Sequence, residues 1–138
     1  MQRLTQEILR LCREYGECRV EAERMEEARR VKNALESVCS MARQRLDISD
    51  PALLLALLDA CEVTRDEGML QEVLDVVGRN LDRLAVSAES VKLLACCYYY
   101  VEEEECVERA GRMLEELRKM GRGEEELADA ETILEELT

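Results

Sequence analysis

Seven cysteines, Cys12, Cys18, Cys39, Cys61, Cys96, Cys97 and Cys106, are the side chains best suited to chemistry, and the chain has no histidine. Structural zinc takes four ligands, commonly from paired Cys-x-x-Cys or Cys/His spacings. No such pair occurs among these positions, so no metal is expected. A nucleophilic thiol needs a neighbouring base, most often histidine, and none exists here. General acid–base work would fall to the 32 Asp and Glu residues, and no spacing singles out a pair. The residue types therefore predict no catalytic residues, no cofactor and a non-enzymatic chain. An odd number of thiols in a reducing, intracellular setting reads as free cysteines, most of them small core residues.

The run Tyr98-Tyr99-Tyr100 is the most conspicuous remaining feature. Successive helical positions point about 100° apart, so three consecutive tyrosines cannot all be buried against one surface. At least one must reach solvent or a groove. Tyrosine suits interfaces because it buries a large ring and keeps a polar end. The densest acidic cluster, Glu102-Glu103-Glu104-Glu105, follows directly. The candidate partner surface is accordingly Tyr98, Tyr99, Tyr100, Glu102 and Glu103. The plainer alternative is that the rings fill the ends of the core while the acids favour the N-terminus of the next helix.

Charge is unevenly spread. The whole chain carries −13, but residues 1–48 hold ten basic and nine acidic groups, whereas residues 49–138 hold nine and 23. The acidic part would repel phosphate backbones, so nucleic acid is not expected as a partner. A protein presenting a basic surface or helix fits better, and the oligomeric state stays open. The longest apolar run, Pro51 to Leu58, spans about 12 Å as a helix against a bilayer core of about 30 Å, so no membrane partner is expected. The start of the chain has no continuous apolar segment, and the reading is a soluble, cytoplasmic or otherwise intracellular protein.

One proline and six glycines in 138 residues leave long stretches without breakers, which predicts an all-α fold. About seven helices follow from the apolar spacing. The first covers about 3–15 and ends at Gly16. The second covers about 18–46, with Met25, Ala28, Val31, Leu35, Val38, Ala42 and Leu46 stepping by three or four. That stripe reads either as a coiled-coil seam or as a face packed on neighbouring helices; Ala28 and Ala42 thin the seam and favour the second. Ser49 or Asp50 caps the third helix, with Pro51 in its first turn. Being apolar nearly all round, the Pro51–Cys61 stretch should be the buried spine, with Asp59 on a narrow exposed edge. Gly68 turns the chain into a fourth helix running to about Ala85. Ser87 caps the fifth, which runs from Ala88 to about Glu102; Cys106, Val107, Ala110, Met113, Leu114, Leu117 and Met120 form the stripe of a sixth ending at Gly121 or Gly123, and residues 124–137 form a last, capping helix.

Within residues 49–121 two segments echo one another. Leu57-Leu58-Asp59-Ala60-Cys61 aligns with Leu93-Leu94-Ala95-Cys96-Cys97 at an offset of 36, and Gly78–Leu84 with Gly111–Leu117 at 33. Together with Val107 to Leu114, the run Leu93 to Tyr98 resembles a helical-hairpin repeat of the tetratricopeptide or pentatricopeptide kind. The resemblance implies antiparallel helix pairs stacked with a period near 34 or 35 residues. Leu94-Ala95-Tyr98 fits the tetratricopeptide pattern, while Leu58-Asp59-Glu62 departs from it. Val91-Lys92 and Leu55-Ala56 occupy the places where pentatricopeptide proteins read RNA, so RNA recognition does not carry over.

The expectation is a single all-helical domain over residues 1–138, built as antiparallel hairpins in an α-solenoid-like array or a compact helical bundle. Its expected role is that of a non-enzymatic protein–protein interaction module or adaptor. A designed helical chain with no physiological function is the alternative. Sixteen arginines to three lysines fit a GC-rich genome, strong helix formers fit design, and seven cysteines speak against design.

Overall fold

The computed structural model describes residues 2–121 and 123–138, Gln2 by its backbone. Seven helices follow one another: α1 Gln2–Cys18, α2 Met25–Arg43, α3 Pro51–Thr64, α4 Glu67–Arg79, α5 Ala88–Val101, α6 Glu104–Lys119 and α7 Glu124–Leu137. Single 3-10 turns at Ala22–Arg24 and Leu81–Arg83 precede α2 and follow α4. The fold is all-α, with no strand among the described residues.

Local chemistry sets the ends of the two central hairpins. Asp50 accepts a hydrogen bond from the Leu53 amide at 3.2 Å, and Pro51 occupies the first turn, where a missing N–H costs nothing. Ser87 caps α5 in the same way, its hydroxyl accepting from the Ser90 amide at 3.1 Å. Both helices stop at a left-handed residue that is not glycine: Arg65 (φ 58°) and Glu102 (φ 51°). In each case the turned amide reaches back to the last turn, Arg65 to the Cys61 carbonyl at 2.7 Å and Glu102 to Tyr98 at 2.8 Å. Those bonds satisfy carbonyls that a helix end otherwise leaves open.

Packing produces two layers. The odd-numbered helices pack consecutively, α1 on α3, α3 on α5 and α5 on α7, while α2, α4 and α6 each fold back on the helix before them. α3 therefore has neighbours on several sides, which is why Leu53, Leu54, Ala56, Leu57, Leu58, Ala60 and Cys61 are all buried. Its near-uniform apolarity follows from that position. α7 buries Leu127, Ala130 and Leu134 against α5 and α6 and turns Glu125, Asp129 and Glu136 to water. One polar face suits the last element of a stack.

The internal correspondence runs at a different register from the one that residue identities indicate. α3 and α5 each have 14 residues and begin at Pro51 and Ala88, 37 positions apart. The caps Asp50 and Ser87, and the turning residues Arg65 and Glu102, keep that same spacing. Burial agrees: Leu53, Leu54, Ala56, Leu57, Leu58 and Ala60 are matched by buried Ser90, Val91, Leu93, Leu94, Ala95 and Cys97. The spacing continues into the return helices, where Met69, Val73 and Val77 answer to Cys106, Ala110 and Leu114. The second turn is thus no shorter than the first; α6 is longer than α4, 16 residues against 13. Offsets of 36 and 33 align letters, whereas burial and capping align positions.

Four boundaries differ from expectation; one is the end of α4, which stops at Arg79 before the 3-10 turn Leu81–Arg83 rather than running to about Ala85. Gly16 does not end α1, which continues to buried Cys18. The chain then turns through Glu21 in extended conformation, so α2 begins at Met25 rather than near Cys18. Gly68 does not turn the chain either. It lies in the first turn of α4, and the reversal is made by Arg65 with Asp66, whose carboxylate accepts from the Met69 amide at 3.0 Å. Met25 and Met120, assigned to apolar stripes, are exposed at helix ends.

Candidate functional site

The turn from α5 into α6 gathers the residues singled out by the sequence and sorts them by environment. Tyr98 and Tyr100 are half-buried and pack on the core, whereas Tyr99 is 58% exposed. Tyr100 donates a hydrogen bond from its hydroxyl to Glu62 Oε2 of α3 at 2.6 Å. Burial first, and then that carboxylate acceptor, push the Tyr100 phenol well above its ordinary pKa, so it stays a donor at neutral pH. The Tyr99 ring meets Tyr100 edge-on, with centroids 5.2 Å apart. This contact holds the exposed ring against a fixed one. Next along, Val101 is 42% exposed.

The chain reverses at Glu102, and Glu103 stands before α6 without a side-chain capping bond. Glu102, Glu103, Glu104 and Glu105 are exposed, and none forms an ion pair among the described residues. Glu104 and Glu105 sit in the first turn of α6, where the helix dipole favours negative charge. The turn thus exposes Tyr99 and Val101, two positions apart and on opposite sides of α5, followed by four carboxylates that form no ion pair among the described residues. Of the five predicted residues, Tyr99, Glu102 and Glu103 share this surface, while Tyr98 and Tyr100 support it from beneath.

The corresponding turn between α3 and α4 is built differently. Asp66 caps α4 and also lies 3.6 Å from Arg43, which is paired with Glu72 at 2.5 Å. Thr64 donates its hydroxyl to the Ala60 carbonyl at 2.7 Å. Glu62, the counterpart of Tyr99, is engaged by Tyr100. These polar groups are committed to holding the fold.

A second feature escapes sequence reading: an open groove of about 660 Å³ between α1 and α3, walled by Leu9 and Arg13 on one side and Asp59, Glu62 and Val63 on the other. It connects with the tyrosine turn through Glu62. Asp59 keeps a face open to water, yet packed neighbours partly desolvate it; that burial, with Glu62 nearby, raises its carboxyl above the ordinary aspartate range. The available signal was Asp59 as the polar exception of an apolar helix, followed one turn later by Glu62.

Apart from Cys18, which lies beside Glu27 and Arg24, the thiols lie in apolar packing. Burial pushes Cys12 and Cys96 up to about 11 and Cys39 and Cys61 to about 12, with Cys97 higher still. They are protonated at neutral pH, and the thiolate is the form that attacks or ligates. Among the described residues no group of three or more His, Cys, Asp or Glu side chains is arranged to hold a metal ion. No helix among them is long and apolar enough to cross a membrane. Comparison of the chain with protein-family models, curated proteins and solved structures gives no match.

Proposed function

We propose that the chain is a helical-hairpin interaction module, and that the α5–α6 turn docks a basic segment of another protein carrying an apolar anchor. One observation carries this reading: Tyr99 is exposed at the turn into α6, whose four carboxylates form no ion pair among the described residues. An exposed aromatic ring held in place by a neighbour loses little entropy when covered, which is the economy that makes tyrosine frequent in binding hot spots. The surrounding acids would guide a cationic partner and fix its orientation.

The test is affinity capture with the intact chain, comparing it with the Tyr99→Ser/Val101→Ser variant. Both positions are exposed, so the variant should keep the parent circular dichroism spectrum. The wild-type chain should retain a partner whose cross-linked segment is rich in Lys and Arg. Truncating a hot-spot tyrosine costs about 2 kcal/mol or more, so the variant should bind at least about tenfold more weakly. Equal retention by both proteins would contradict the proposal.

A further inference from the structure

The stripe of α2 noted in the sequence divides in two. Ala28, Leu35, Cys39 and Ala42 are buried against the rest of the fold. On the adjoining flank lie Val31, Ala34, Val38 and Met41, spaced three, four and three residues apart, which is the spacing of a helix-pairing seam. This second stripe is only partly covered: Val31 and Val38 are half-buried against the core, whereas Ala34 is exposed and Met41 is 58% exposed. Beside it, between α1 and α2, runs a groove of about 490 Å³ lined by Leu4, Val38 and Met41 with Arg3, Glu7 and Arg45 at its margins.

The four positions are symmetric about residue 36. Laid antiparallel against a copy of itself, α2 sets Val31 opposite Met41 and Ala34 opposite Val38. Ala34 beside the axis lets the two backbones approach closely. We propose that α2 is a self-association surface, on which a second copy of this chain docks through its own α2 in antiparallel, two-fold fashion.

The charge distribution favours the same occupant. Two copies carrying −13 each repel one another over most approaches. Residues 1–48, with ten basic and nine acidic groups, are the part of the chain where they meet near neutrality. A two-fold contact also closes on itself, giving a dimer rather than a filament. The seam is short, since a 19-residue helix spans about 28 Å, so association should be weak and concentration-dependent.

The experiment is sedimentation of the full chain from about 1 μM to about 1 mM, the range in which weak pairing becomes visible. The mass should rise from 15.8 kDa toward twice that value. Met41→Glu and Ala34→Glu, both at exposed helical positions, should each weaken association at least tenfold with an unchanged circular dichroism spectrum. Tyr99→Ser should leave it unaltered. A mass of 15.8 kDa throughout, whether or not the groove accepts some other protein's helix, overturns the proposal. So does unaltered association of Met41→Glu and Ala34→Glu, or loss of association in Tyr99→Ser.

Discussion

The α3–α4 and α5–α6 hairpins are alike inside and unlike outside. They share a 37-residue spacing of caps, turning residues and buried positions. Their turns differ: around Arg65 the acids Asp66 and Glu72 are tied to Arg43, whereas the four glutamates from Glu102 to Glu105, next to exposed Tyr99 in the chain, form no ion pair among the described residues. One architecture thus supports one turn whose acids are paired and one whose acids are unpaired among the described residues. The groups that stabilise a hairpin and those that mark it as a surface are separable here, and variants can test each.

The largest effects should come from the shared interior. Leu57 and Leu94 occupy equivalent positions and are fully buried. Leu57→Ala and Leu94→Ala should each cost about 2–5 kcal/mol in urea unfolding, and by similar amounts. A loss confined to one of them would break the equivalence. Next come the caps, where Asp50→Ala and Ser87→Ala should each cost about 0.5–2 kcal/mol. A null result at either would mean that the helix start is fixed by packing instead.

The smallest effect concerns a position at which the two hairpins diverge, Asp59 against Cys96. Because the folded carboxyl of Asp59 is raised, the folded state favours its protonated form. Stability contributed by that form is present below the unfolded value of about 4 and is lost as pH rises through the folded value. Asp59→Asn should therefore be more stable than wild type at pH 7, with the advantage disappearing near pH 3.5, as read by paired urea melts. An advantage that grows on acidification would reverse the assignment.

Much of this was legible in the chain. Pro51 behind Asp50, and Ser87 before an apolar run, are local signals whose physics does not depend on the rest of the fold, and both caps are where they were expected. The apolar stripes located all seven helices. What was not legible depended on context. Gly16 and Gly68 suggested turns, but both lie within helices: α1 runs through Gly16 to a turn at Glu21, and the reversal near Gly68 is made by Arg65, which like Glu102 has no intrinsic preference for the left-handed region. The 37-residue register was hidden because identical letters coincided at other offsets, while burial relates Leu57 to Leu94 rather than to Leu93. At the candidate site, composition implied that one tyrosine would be exposed. Only the contact with Glu62 distinguished Tyr99 from Tyr100, and that contact joins residues 38 positions apart.

The contrast between the two turns is tested most directly by mapping amide chemical shifts while a lysine- and leucine-rich amphipathic peptide is added to the full chain. The largest shifts should fall on Tyr99 to Glu105, and the equivalent stretch from Glu62 to Gly68 should stay nearly silent. Shifts of equal size at both turns, or none at Tyr99 to Glu105, would contradict the division between a stabilising turn and a binding one.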